Sequence, residues 1–180
     1  QFVEFPKANG KTTTLFSFAI QRFDNFDDQE ALLPPSIIAS EPYRFYVKKQ
    51  IEMSSVQDAE VFLEPASRNT AASLTIAALK DQEDDPILVV MPSDQFVENT
   101  KFQAAVNAAH SACENGEIVL IGIKPSYPET GYGYIQAMTS PLFDTPVSVE
   151  RFVEKPTVEK AEEYLYAGGG TYLWNSGIFI

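Results

Sequence analysis

Five short clusters in this chain hold side chains whose types and spacing suit work on an anionic ligand. Asp94 stands in Pro92-Ser93-Asp94-Gln95, directly behind the apolar run Ile87-Leu88-Val89-Val90-Met91. In open parallel sheets, ligands bind beyond the carboxyl ends of the strands. A carboxylate in a polar loop there fits one ligand of a Mg2+ ion whose other ligands are phosphate oxygens and water; a turn or a helix cap would also use an aspartate at this point. Glu64-Pro65-Ala66-Ser67-Arg68-Asn69-Thr70 follows another strand-like run and leads straight into a helical pattern. Taken singly, Arg68 reads as a surface residue at a helix start. Glu129-Thr130-Gly131-Tyr132-Gly133-Tyr134 sets two glycines among aromatics, which permits either a tight turn or close approach of a ligand to the backbone. Phe152-Val153-Glu154-Lys155-Pro156 puts an acid beside a base at a strand end. Neighbours on a strand point to opposite faces, so Glu154 and Lys155 are not expected to pair with each other. Trp174-Asn175-Ser176-Gly177 brings an amide and a hydroxyl into an apolar run, where each must find a partner, a bound ligand being one candidate.

The elements that must position these clusters alternate along the first two-thirds of the chain. Leu15, Phe18, Ala19, Arg22, Phe23 and Phe26 recur at helical spacing and predict an amphipathic helix, with Arg22 its one polar member. Residues 36–39 predict a short buried strand, and Tyr43, Val47 and Ile51 a second helix. Residues 60–63 predict a strand that ends at Glu64-Pro65. Asn69 is placed to cap a helix over 70–80, whose apolar residues lie on more than one face and predict burial. Ile87–Met91 is continuously apolar, as a strand covered on both faces must be. Phe102, Val106, Ala109 and Cys113 mark a further helix ended by Asn115-Gly116, and residues 118–123 the next strand.

Strands alternating with helices of this length indicate βαβ units and a mainly parallel sheet flanked by helices. Beyond Pro125 the pattern changes. Residues 133–137, 147–153 and 171–180 read as strands with one short helix around Val158, Ala161 and Leu165, a mixed or antiparallel extension expected to close over the ligand. With no repeat and no evident linker, the chain reads as one continuous α/β domain.

Composition narrows the partners. The 180 residues are 44% hydrophobic and 21% charged, which suits a globular chain and neither disorder, collagen nor coiled coil. Thirteen Lys and Arg against 25 Asp and Glu give a net charge of −12, spread over both halves, which argues against a nucleic-acid or anionic-membrane surface. No apolar run approaches the ~18 residues of a membrane span. The single cysteine, Cys113, leaves no internal disulfide, fits a reducing cytoplasm and reads as core. His110, the one histidine, has no partners at metal-ligand spacing. No serine sits in a nucleophile elbow. The acidic run 81–85 reads as a solvated loop, and Tyr43, Phe45 and Tyr46 as packing rather than a base-stacking platform.

Taken together, the clusters resemble a known family. Glu64-Pro65-Ala66-Ser67-Arg68-Asn69-Thr70-Ala71, Pro92-Ser93-Asp94, Pro128-Glu129-Thr130-Gly131-Tyr132-Gly133-Tyr134-Ile135, Arg151-Phe152-Val153-Glu154-Lys155-Pro156 and Trp174-Asn175-Ser176-Gly177 occur in the order and at the spacing seen in mannose-1-phosphate guanylyltransferases. The resemblance spans essentially the whole chain. It implies a Rossmann-like nucleotidyltransferase domain that joins mannose 1-phosphate to GTP, giving GDP-mannose and pyrophosphate. By that resemblance Asp94 holds Mg2+, and Lys155 grips the phosphate of the sugar. Glu154 and Asn175 bind sugar hydroxyls, and Gly131, Tyr132 and Gly133 bring the backbone close to the sugar. Glu64, Pro65, Arg68, Asn69 and Thr70 line the guanine and ribose end.

The chain departs from the family pattern in places. Gln95 stands where a histidine is usual, and Ser67 where glycine or alanine is common. The glycine-rich phosphate loop expected before Gln1-Phe2 and a second metal-binding aspartate expected after Ile180 are not in the sequence. The resemblance therefore implies an incomplete catalytic domain over 1–180, expected to be inactive or nearly so by itself. A relative using another sugar or nucleotide, and a non-catalytic sugar-nucleotide-binding protein, are the alternatives. Self-association and a following phosphomannose isomerase domain stay open.

Overall fold

The computed structural model describes residues 2–6, 12–24, 26, 32–56, 58–66, 69–80, 85–143, 145–166 and 169–180. It is an α/β chain that divides into two compact units, one of residues 1–86 with 92–103 and one of residues 87–91 with 104–180.

In the first unit, β1 (Phe5–Pro6) and β2 (Thr12–Thr13) form a short antiparallel pair. Helix α1 (Leu15–Ile20) starts at Thr14, whose hydroxyl oxygen accepts from Ser17 N at 3.0 Å and donates to Gln50 Oε1 at 2.8 Å. One residue thus caps α1 and ties it to α2 (Arg44–Glu52). The expected helix to Phe26 stops at Ile20. Beyond it Arg22 N donates to Ala19 O, Asp24 N to Gln21 O and Phe26 N to Phe23 O, so the chain continues in three-residue turns that keep the aromatic face aligned. Strands β3 (Ser36–Ser40) and β4 (Glu60–Glu64) pair in parallel from Ser36 opposite Glu60 to Ser40 opposite Glu64. Phe16, Ile37 and Val47 form the buried cluster, with Phe2, Ile20 and Ile51 packed around it. Helix α3 (Asn69–Lys80) exists as expected but is not buried: Ile76 is 49% and Leu79 62% exposed. Apolar residues on several faces demand burial only where another element covers them, and no described element packs on these two.

In the second unit, the order β5 (Leu120–Ile123), β8 (Tyr172–Phe179), β6 (Gly133–Ala137), β7 (Val149–Glu154) makes a four-stranded antiparallel sheet. Helix α5 (Val158–Tyr166) lays Ala161 and Tyr164 on Tyr134 and Trp174 to form its core. The antiparallel extension is therefore as expected, while the parallel pairing among described residues is that of β3 with β4. The expected strand at Ile87–Met91 is overturned. Among the described residues it forms an isolated bridge rather than a ladder, Val90 making reciprocal bonds with Phe179 of 2.8 and 3.0 Å. Continuous apolar character favours extended chain but does not supply a neighbouring ladder. The helix expected around Phe102 to Cys113 is α4 (Asn99–Glu114). It ends as predicted at Gly116, with φ of 78° and Glu117 N donating to Ala112 O.

Candidate active site

The parallel pair β3–β4 ends at Ser40 and Glu64. Just beyond lies a cleft of about 190 Å3 lined by Phe2, Phe16, Ile38, Ala39, Ser40, Tyr43, Val47, Glu64 and Ser93. That volume is below the ~300 Å3 of a typical small-molecule pocket, so it has room for one flat ring rather than a whole nucleotide. Glu64 is half-buried, and one carboxylate oxygen accepts from Ser73 Oγ at 2.6 Å. The serine, on the second turn of α3, thereby fixes the carboxylate at the rim. Pro65 and Thr70 are exposed and are not among the lining residues. Arg68 lies outside the described residues, as does the side chain of Asn69, the first residue of α3.

Ser93 and Asp94 form the turn next to this cleft. The Asp94 side chain is exposed and carries no hydrogen bond or ion pair to a described group. Among the described residues no three His, Cys, Asp or Glu side chains converge to hold a metal. This donor set fits a hard divalent cation that keeps water and takes further oxygens from its substrate, and not a closed cage of protein ligands.

The second unit assembles the remaining residues. Gly133 lies directly opposite Glu154 across β6 and β7, so the two share one face of the sheet. Tyr134 lies opposite Trp174 in the last pair across β6 and β8, so Gly133 and Asn175 are the next residues of their strands, and Asn175 lies opposite Gly122 of β5. Glu154 and Gly133 thus sit side by side, and Gly133 and Asn175 each adjoin a residue, Tyr134 or Trp174, that packs on α5. A Cβ on Gly133 would come within 2.5 Å of the Phe152 ring and 2.9 Å of Glu154 Oε2, so the missing side chain admits those groups over the strand. At Gly131 the turn holds: its N–H donates to Glu129 Oε1 at 2.7 Å. Tyr132 sets its ring edge-on to Trp174.

Lys155 corrects one expectation. Its ammonium lies 3.1 Å from Glu154 Oε1, although the two are sequence neighbours. β7 ends at Glu154, and Lys155 takes a left-handed φ of 44°, which breaks the strand alternation and turns its side chain back. Its N–H donates to Tyr132 O at 3.2 Å, joining this turn to the glycine segment. Both side chains are more than half exposed, so the pair is weak.

Asn175 and Ser176 find protein partners. β8 carries extra residues against β5 between Asn175 and Phe179. Within that bulge Gly177 takes φ of 74° and donates to Asn175 Oδ1, while Ser176 Oγ donates to Ile121 O at 2.7 Å and accepts from Ile178 N. The Asn175 Nδ2 group engages no described residue.

Sequence reasoning passed over Arg22. It is fully buried, donates from Nη2 to Gln95 O at 3.0 Å and stacks on Phe102. The signal was present: a cation on an otherwise apolar stripe needs a fixed acceptor.

A strand-end carboxylate beside a ring-sized cleft, and a cation and an amide on the strands flanking Gly133, suit a domain that handles phosphorylated ligands. The chain belongs to the nucleotidyl transferase family, whose pattern matches residues 5–180. It is 42% identical over 171 residues to an alginate biosynthesis protein of Pseudomonas aeruginosa, covering 93% of this chain and 34% of that protein. It is 41% identical over 152 residues to a mannose-1-phosphate guanylyltransferase of Klebsiella pneumoniae, covering 81% and 32%. The fold is also similar to that of a mannose-6-phosphate isomerase from Helicobacter pylori, with a TM-score of 0.76 and 27% identity over 92% of this chain and 60% of that one. The chain spans about a third of the length of the curated relatives it matches. No helix among the described residues is long and apolar enough to cross a membrane.

Proposed function

We propose that the protein carrying this chain is a guanylyltransferase that forms GDP-mannose and pyrophosphate from GTP and mannose 1-phosphate. The observation that carries the reading is the pairing of Gly133 with Glu154, with Asn175 one residue from the Tyr134–Trp174 pair and Lys155 turned back onto Glu154. It offers a carboxylate acceptor and an amide donor for sugar hydroxyls, and an exposed ammonium for the adjoining phosphate. The identity to the named guanylyltransferase supports the same substrates.

In this reading an oxygen of the sugar phosphate attacks the α-phosphorus of GTP, and the bond to the β-phosphate oxygen breaks with release of pyrophosphate. The attacking group is already an anion, so no protein nucleophile is required. The task of the chain is to hold two anions together. Lys155 draws the sugar phosphate in as a point charge, exchanging its weak pairing with Glu154 for the phosphate. Asp94 would hold Mg2+, which would supply positive charge to offset the repulsion between the two anions. The ring-sized cleft takes the base. Guanine presents N1–H and N2–H donors side by side, which the Glu64 carboxylate can accept and which uracil and thymine lack. Pro65, Arg68, Asn69 and Thr70 belong to the ribose side of that end. Such a reaction draws on cytoplasmic nucleotides and involves neither nucleic acid nor membrane.

Pyrophosphate release by the full-length protein tests the proposal, with GTP, UTP or dTTP offered against mannose 1-phosphate and glucose 1-phosphate. Turnover is expected with GTP and mannose 1-phosphate and to stop when the divalent metal is chelated. Preference for another pair would assign a different nucleotide sugar. Tight binding of GDP-mannose without turnover would make this a binding protein.

A further inference from the structure

We propose that Arg22 is a positioning residue for Asp94, clamping the backbone of the loop that presents the metal-binding carboxylate. The inference rests on the assignment of Asp94 as a metal ligand. Asp94 makes no bond of its own to a described group, so its position depends on the peptide units around it. The residue directly after it is held at its carbonyl: Arg22 Nη2 donates to Gln95 O at 3.0 Å. One residue further on, the Phe96 ring stacks on Phe18 of α1, with centroids 4.9 Å apart. Arg22 and Phe18 therefore grip the loop at consecutive residues from the same turn of chain. The guanidinium is in turn fixed by the Phe102 ring, 5.2 Å away, and Phe102 by an edge contact with Phe23.

An apolar residue of equal volume would fill the space without desolvating a charge, so packing alone does not account for a fully buried arginine here. Burial lowers the pKa of Arg22 from a value so high that it stays cationic. A charge-assisted bond is shorter and more directional than a neutral one, which is what holding a carboxylate to within a fraction of an ångström requires. The bond lies on the main chain, so it acts equally on Gln95 or on any other side chain at that position.

The test uses the full-length protein and two readouts: the Mg2+ concentration giving half-maximal thermal stabilisation with GTP present, and that giving half-maximal turnover. Arg22→Met keeps the volume and removes the donor. It should raise both Mg2+ midpoints about tenfold, as expected for a fraction of one charge-assisted hydrogen bond, and leave the KM for mannose 1-phosphate within about twofold. Arg22→Lys, which retains a donor, should recover part of the shift. Ala109→Gly, on α4 and 1% exposed, is not among the residues of the proposed site; it serves as the stability control and should lower the melting temperature without moving the Mg2+ midpoints. An Arg22→Met protein that is merely less stable, with both midpoints in place, overturns the proposal. If Arg22→Met does not fold, Arg22→Lys decides: a raised midpoint supports the clamp and an unmoved one overturns it. Asp94→Asn separates the two levels. If it fails to shift the Mg2+ curve, the metal assignment falls and the clamp with it; if it shifts the curve and Arg22→Met does not, only the clamp fails.

Discussion

Lys155 is the residue where conformation and chemistry meet most sharply. A left-handed φ of 44° costs a side-chain-bearing residue about 1 kcal/mol relative to glycine. Strain held at a strand end beside a glycine turn is typical of a site that needs a particular side chain in a particular direction. Lys155→Gly should therefore raise unfolding free energy in urea by about 1 kcal/mol while raising the KM for mannose 1-phosphate more than about tenfold. The KM for GTP should change little. Equal effects on both substrates would contradict the phosphate-binding role, and lost stability would contradict the strain. Asn175 and Ser176 show the converse. Their polarity suggested a ligand, yet each first satisfies the backbone of its own bulge, and what is left for a ligand is the Nδ2 group of Asn175.

Element by element, the second sheet was the more legible because antiparallel strands sit near each other in sequence and are punctuated by glycine and proline. Gly133–Ala137 was legible to the residue, as was the Gly116 helix stop. The bulge in β8 was not, since a register shift depends on the partner strand. It is nonetheless firmly built. Ser176 is 3% exposed and serves two backbone groups, so Ser176→Ala should cost about 1–3 kcal/mol in urea denaturation. Gly177→Ala at φ of 74° should cost about 1–2 kcal/mol for steric reasons alone. Losses near zero would mean that the bulge rearranges freely. Helix α1 broke from its periodic pattern after Ile20, yet the tight turns kept Phe18, Arg22 and Phe23 in place, so the face was legible although the helix was not.

For the chain as a whole, a net charge of −12 must be carried together with ligands that are themselves anions. Exposed pairs such as Arg44 with Glu41 and Lys160 with Glu163 contribute little against that excess. Raising NaCl from ~10 to ~150 mM shortens the Debye length from roughly 30 to 8 Å and should raise the melting temperature by screening self-repulsion. A melting temperature that falls with salt would show that the ion pairs outweigh the excess. The same excess explains why the proposed site relies on a few placed cations, Lys155 at the sugar phosphate and a metal at Asp94.

By itself the sequence determined which side chains gather into clusters, most element types, and the order of motifs from which the family follows. These depend on composition and periodicity, which act over a few residues. Tertiary structure alone decided that the Ile87–Met91 segment makes an isolated bridge at Val90 instead of a ladder, that α3 leaves Ile76 and Leu79 exposed, that Lys155 turns back onto Glu154, and that Arg22 grips the residue after Asp94. Each of these turns on what lies opposite in space. Ladder partners, covering elements and acceptors come from distant chain segments, 73 residues apart for Arg22 and Gln95 and further still for Val90 and Phe179, and no local pattern encodes them.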